Sequence, residues 1–411
     1  MEKIINSCNV GYSPNINQKG VKNLASRTSR VNLPQHNNDV FFGALNKKFV
    51  MSKAKSVKDI PSDANIFIFS CKNKVNLPEG RYAKECILTE KGFGFWKKFF
   101  GGNEANTVNL KCNTVGYVHG EATDMDKTCG ILNANNCKIS QIDNISNVRL
   151  TNHSNVGFVN QVDELNVQNS KVMSVNDVKL LNIEGNSQVD NISVNNISTA
   201  PGATIKKVSS ENLLCKADPN SPNKYTEIGE ADIQNGAEIY QSKIKNLKTK
   251  ELIIKDSLVD NLQAEGCLEF DNSVVKNLDI YDIKKISNCK ASNILLKGYD
   301  PEICLHGKTQ IDNFNIKGSN VKFFVFPKKE WDKPVDNYIK KINILSEYAE
   351  SEKPRVKIQG DIDIDTIEFV KDSGIVEMTI PEIPEKRINV INGFIKYGSP
   401  LEEVPKLEDL G

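Results

Sequence analysis

Asp361, Asp363 and Asp365 alternate with isoleucines, so on a strand the three carboxylates share one face and offer the hard oxygen donors that Ca2+ takes. The same alternation is that of an ordinary solvated strand face, which is the preferred reading. His36, His119, His153 and His306 are the only histidines, and none has a nucleophile or a metal-ligand partner beside it in sequence. The ten cysteines form no Cys-x-x-Cys pair and no Cys/His spacing of a zinc site. Cys137, Cys267 and Cys289 fall where a small buried side chain is expected, which reads as reduced core thiols. No catalytic residue, no cofactor and no metal other than the weak Asp361, Asp363, Asp365 candidate is assigned.

A second kind of chemistry sits between Gly92 and Gly101, where Phe93, Phe95, Trp96, Phe99 and Phe100 surround Lys97 and Lys98. Aromatic rings beside lysines suit a loop that dips into a membrane interface. They equally suit a cap over an exposed core end, and the position of the segment just before the regular repeats favours the cap.

The elements that must carry these residues are written in a repeat. A pair of apolar residues three positions apart returns at Val115 and Val118, Ile142 and Ile145, Val156 and Val159, Val172 and Val175, Val189 and Ile192, Ile205 and Val208, Ile244 and Leu247, Val259 and Leu262, Val275 and Leu278, and Ile311 and Phe314. In six copies Asn precedes the second member: Asn144, Asn191, Asn246, Asn261, Asn277 and Asn313. A second apolar pair at spacing two follows or precedes it, as in Leu181 and Ile183, Leu252 and Ile254, or Leu268 and Phe270. Spacing two marks a strand with one buried face. Repeats of helices need roughly 33 to 47 residues per unit, so a unit of about 16 holds only short strands and corners. The fold class expected is all-β, a parallel β-helix solenoid of ~16–17-residue coils, right-handed as parallel crossovers usually are.

Corner residues agree with this. Asn169-Ser170, Gly185-Asn186-Ser187, Asp256-Ser257 and Asn272-Ser273 lie between strands, and Asn tolerates left-handed backbone better than most residues with a Cβ. The 49 asparagines concentrate in these slots. Coils of a parallel β-helix stack about 4.8 Å apart, so equal slots form columns. Asn246, Asn261 and Asn277 are then expected to stack as an amide ladder. The slot after the first apolar residue runs Lys245, Asp260, Lys276, which predicts cross-coil ion pairs and not a paired-carboxylate acid/base site.

The coil period near 16 to 17 and the regular aliphatic core over residues 105–325, with flexible segments at the N-terminus, resemble the bactofilin type of bacterial polymer-forming β-helix. That resemblance implies a non-enzymatic scaffold that assembles end to end and touches the membrane through a short N-terminal segment. The Asp-Asp and Gly-His-Gly signatures of polygalacturonases are missing, and the steps do not match the 18-residue coil of hexapeptide acyltransferases.

Around the repeat, residues 1–60 are polar and read as a disordered arm, with 61–104 as N-terminal strands and the aromatic loop. Insertions interrupt the repeat at residues 121–127 and 216–230, the second containing Asp218-Pro219-Asn220-Ser221-Pro222-Asn223. Val335, Tyr338, Ile339, Ile342, Leu345 and Tyr348 lie at helical spacing and predict a helix over residues 333–350, followed by strands, making 326–398 a helix-plus-strand cap. Residues 399–411 read as a flexible acidic tail.

With 53 basic and 52 acidic residues, a net charge of +1 argues against nucleic acid as a partner. A cytoplasmic location is expected, since no apolar stretch suits a signal or a membrane span. The function expected is a non-enzymatic β-helix scaffold or interaction protein that assembles with itself or another protein. The alternatives are a carbohydrate-binding or carbohydrate-active β-helix, supported if a lateral groove is lined by aromatic and acidic residues, and a scaffold in peripheral contact with a membrane through the aromatic loop.

Overall fold

A computed structural model of the chain describes residues 47–51, 61–69, 75–89, 107–122, 128–318, 320–326, 337–345, 353–360, 362–371, 373–379 and 388–397. Those residues form 27 strands and no helix. Every strand pairing is parallel, and each strand stacks on its counterpart one coil away. The fold is a parallel β-helix.

One coil shows how the sequence produces it. From Ser242 to Lys255 the inward residues are Ser242, Ile244, Leu247, Thr249, Leu252 and Ile254. Where two inward residues are separated by one, the chain is flat; where they are separated by two, it turns. The apolar pair at spacing three therefore straddles a corner, and Lys245 and Asn246 are the corner residues. A second corner follows at Lys250-Glu251 and a third at Lys255-Asp256. Three short strands and three corners close one coil.

The third corner explains the Asn and Ser slots. Asn169, Gly185, Gln241, Asp256, Asn272 and Asn288 all adopt left-handed backbone there, with φ between 44° and 62°. In five of the six the next residue points inward and is small, Ser170, Ser242, Ser257, Ser273 and Cys289, and after Gly185 the buried small residue is Ser187, two positions on. Its side chain satisfies the corner. Ser257 Oγ donates to the Lys255 carbonyl at 2.7 Å and accepts from the Ser242 amide at 3.1 Å, and Ser273 repeats both bonds one coil on. A buried polar atom is tolerated when it is paired in this way. Cys267 and Cys289 are buried as the sequence suggests, and burial pushes both thiols up to about 12, so they are inert at neutral pH.

Several expectations change. The copy of the apolar pair that stacks on Val156 and Val159 is Ile139 and Ile142, not Ile142 and Ile145. Asn144 is an extra left-handed residue at the following corner, so it mimics the repeat without occupying its slot. Cys267, not Leu268, stacks on Leu252, and Leu268 is the bulge residue between Cys267 and Glu269.

The predicted helix is not formed where the structure describes it. Tyr338–Ile344 is a strand paired with Gln310–Ile316 and Asp363–Phe369. Ile339 and Ile342 are the corner-straddling pair, stacked on Ile311 and Phe314, and a spacing of three reads as helical only when the corner is overlooked. The ladder accordingly runs beyond residues 105–325 on both sides. It includes Lys48–Met51, inside the stretch read as an arm, and continues to Gly393–Tyr397, as the strands expected after residue 350 join it.

The insertion after Cys215 leaves the coil at residues 216–225 and rejoins it at Thr226. Gln241, on the next coil, fastens it: Nε2 donates to the carbonyls of Ser221 and Lys224, and Oε1 accepts from the Asp218 amide at 2.8 Å. The remainder of residues 1–60, the aromatic segment, residues 123–127 and the tail from 399 lie outside the described residues.

Candidate functional site

Two columns of outward residues flank the second inward residue of the corner pair, and between them lies a shallow trough. Its best-formed stretch has a volume of about 570 Å³ and extends from Lys207 to Asn315. Asn246, Asn261, Asn277 and Asn293 make one rim, Lys248, Gln263 and Asp279 the other, and the chain at Leu247, Leu262 and Leu278 the floor.

The Asn rim is a hydrogen-bonded ladder. Asn261 Nδ2 donates to Asn246 Oδ1 at 2.8 Å, Asn277 to Asn261 at 2.8 Å, Asn293 to Asn277 at 2.9 Å and Asn313 to Asn293 at 3.1 Å. The column expected from the sequence is present and is longer than the three residues named for it. Asn293 was missed because its corner begins with Ala291, a weak apolar signal. Each inner amide, Asn261, Asn277 and Asn293, spends one N–H and one lone pair along the axis. The other N–H and lone pair are left for a ligand. On another face Asn76, Asn109 and Asn133 form a shorter ladder beside a trough of about 680 Å³.

Register carries the same two rims toward the N-terminus. One continues through Glu230, Lys207, Asn191, Ser174, Phe158, Gln141, Tyr117 and Glu85, the other through Asp232, Ser209, Ser193, Asn176, Asn160, Asp143 and His119. Here the lining becomes aromatic and acidic. The rings of Tyr117 and His119 stack at 4.5 Å and 25°. Tyr117 Oη donates to Asp143 Oδ2 at 3.3 Å, while Asn160 Nδ2 donates to Asp143 Oδ1 at 3.1 Å and Asn176 Nδ2 to Asn160 Oδ1 at 2.9 Å. Burial, and then the Asp143 carboxylate, push the Tyr117 phenol up to about 12, so it is a donor at every physiological pH. His119 lies between two carboxylates, with Nδ1 3.6 Å from Glu85 Oε1 and Nε2 3.5 Å from Glu121 Oε1.

Sequence spacing hid this cluster. Glu85, Tyr117 and Gln141 are 32 and 24 residues apart, because long connections separate the coils, so no period links them. Glu85 is thus a charged neighbour of His119 that the linear sequence did not reveal.

The other sequence candidates scatter. Asp363 and Asp365 are exposed on the outer face of their strand, and Tyr338 Oη donates to Asp365; Asp361 lies outside the described residues. Phe93, Phe95, Trp96, Lys97, Lys98, Phe99 and Phe100 also lie outside them. His153 occupies a left-handed corner, and His306 is half-buried far along the ladder, where burial first and Lys285 second lower its pKa. The charged slots do pair across coils: Lys276 Nζ is 2.6 Å from Asp260 Oδ1, and Lys206 Nζ is 2.9 Å from Asp190 Oδ2. Glu269 bridges Lys255 and Lys285; burial opposes its charge, yet the two lysines outweigh that and hold its carboxyl below the usual range. Among the described residues, no group of three or more His, Cys, Asp or Glu is arranged to hold a metal ion. No helix there is long and apolar enough to cross a membrane.

Compared with family models, with curated proteins and with solved structures, the chain matches none.

Proposed function

We propose that this chain is a non-enzymatic β-helix interaction scaffold whose working surface is the lateral trough. The observation that carries the reading is the five-residue amide ladder from Asn246 to Asn313. It presents a donor and an acceptor at every coil, about 4.8 Å apart, and each amide is already held by its neighbour. A ligand that meets fixed groups orders little on binding, which is the advantage of preorganisation. A row of this kind suits an extended polar polymer lying along the coil axis.

Carbohydrate is the polymer class favoured by the N-terminal part of the trough. Tyr117 and the exposed Phe158 place aromatic rings, and Glu85 and Asp143 place carboxylates, along the same two rims. Sugar rings have apolar C–H faces and hydroxyl edges, and these are the two kinds of group offered. Self-assembly is part of the proposal as well: among the described residues the last strands, Asn389–Ile391 and Gly393–Tyr397, pair on one side only, and Ile391 and Phe394 are exposed there.

The test is electrophoresis of the native protein through gels containing linear soluble polysaccharides, with the polymer assayed for new reducing ends. Retardation without new ends is expected. Replacing Asn261 and Asn277 together by Leu is expected to weaken it about tenfold with an unchanged circular dichroism spectrum, the size of effect that two hydrogen-bonding contacts give. New reducing ends that disappear in Glu85→Gln would overturn the non-enzymatic reading.

A further inference from the structure

Building on the trough as a carbohydrate-binding surface, we infer that its N-terminal end, from Tyr117 to Asn176, is a subsite for neutral sugar rings, with Phe158 as the stacking platform and the Tyr117, Asp143, Asn160 chain as the edge that binds hydroxyls.

Phe158 is 41% exposed, and its column neighbours are the polar Gln141 and Ser174. It contributes no ring to the core, and the core cluster closes beneath it at Val156 and Val159. An aromatic ring held on a rigid strand loses little freedom when a flat partner covers it, and the apolar face of a pyranose is such a partner.

The polar edge lies two residues along the same strand. Asp143 accepts from Tyr117 on one oxygen and from Asn160 on the other, and each oxygen keeps a lone pair for a sugar hydroxyl. The Asn160 amide, fixed at both ends by Asp143 and Asn176, has its second N–H free to donate. Acceptors and a donor at fixed spacing, next to an aromatic face, meet the two edges of one ring together.

Charge narrows the ligand class. Glu85, Glu121 and Asp143 gather at this end, around His119 and Tyr117. Like charges are repelled by such a set, so uronic-acid polymers are disfavoured and neutral glycans favoured. The stacked Tyr117 and His119 rings fill the space between the rims on their coil. The sugar chain then runs from Phe158 toward the Asn ladder.

Retardation of the full chain in native gels tests this, with hydroxyethyl cellulose and galactomannan as neutral probes and polygalacturonate as the acidic one. The wild type is expected to be slowed by a neutral probe and not by polygalacturonate. Phe158→Ala is expected to lose at least tenfold in apparent affinity while Phe158→Trp keeps it; the side chain at 158 is solvent-exposed, so folding is unaffected, as thermal melts will verify. Tyr117→Phe, which keeps the ring and removes the hydroxyl, is expected to weaken binding severalfold. Retardation of Phe158→Ala equal to wild type overturns the subsite while leaving a binding trough elsewhere in place. Stronger retardation by polygalacturonate overturns the neutral class. A wild type that no glycan slows overturns both the subsite and the carbohydrate reading on which it rests.

Discussion

Leu262→Asp is expected to abolish cooperative folding of the ladder, with urea denaturation showing either no folded baseline or a loss of more than about 4 kcal/mol. Leu262 is 3% exposed, and its side chain stacks between Leu247 and Leu278 beneath the trough. An isolated carboxylate there has no cation within the core, and leaving a charge buried and unpaired costs about 3 to 5 kcal/mol. The lost apolar contact adds about 2 kcal/mol. Total stabilities are about 5 to 15 kcal/mol, so one such change consumes a large part. Leu262→Met, which keeps volume and polarity, is expected to cost less than about 1.5 kcal/mol. Equal midpoints for Asp and Met would mean that position 262 is not in a core.

Removing residues 258–273 is expected to give a shorter protein that still folds. Leu258 stacks on Val274, so this deletion takes out one coil and joins Ser257 to a residue that already occupies the position of Leu258 one layer further on. Ile244 would then face Val275, Leu247 would face Leu278, and Asn246 could accept from Asn277. A solenoid's stability is close to a sum of coil and interface terms, so losing one coil lowers the denaturation midpoint modestly. Removing only residues 258–264 leaves part of a coil. That offset of seven is odd, so it reverses the alternation and moves Glu269 and Asp271 into the inward positions of Leu262 and Ala264. That variant is expected to be unfolded or insoluble at room temperature. If the two deletions behave alike, stability does not depend on whole coils.

These expectations rest on columns, and columns are where the sequence was most readable. Between Ile244 and Val275 the steps are 15 and 16, so Asn246, Asn261 and Asn277 could be stacked by counting alone. Corner chemistry was equally plain, since Asn or Asp followed by Ser recurs where a left-handed residue must precede a small buried one. Two things defeated counting. Spacing by three is shared by helices and by bent strands, which turned Tyr338–Ile344 into an apparent helix. Connections of irregular length removed the period that would have aligned Glu85 with Tyr117, or His119 with Asp143. The polar and aromatic end of the trough exists only through backbone pairing between distant stretches of the chain.

The trough and the residues along its rims depend on the coil register, and distances between spin labels measure that register directly. Lys171, Gln188, Thr204, Glu227, Lys243, Leu258, Val274 and Lys290 occupy one column, one coil apart. Labels at Lys171 and Lys243 span four coil steps, and labels at Lys171 and Lys290 span seven. Pulsed electron resonance is expected to give narrow distributions near ~19 Å and ~34 Å, in proportion to coil number at ~4.8 Å per step. Broad distributions, or a second distance no longer than the first, would contradict the stacked ladder and the trough built upon it.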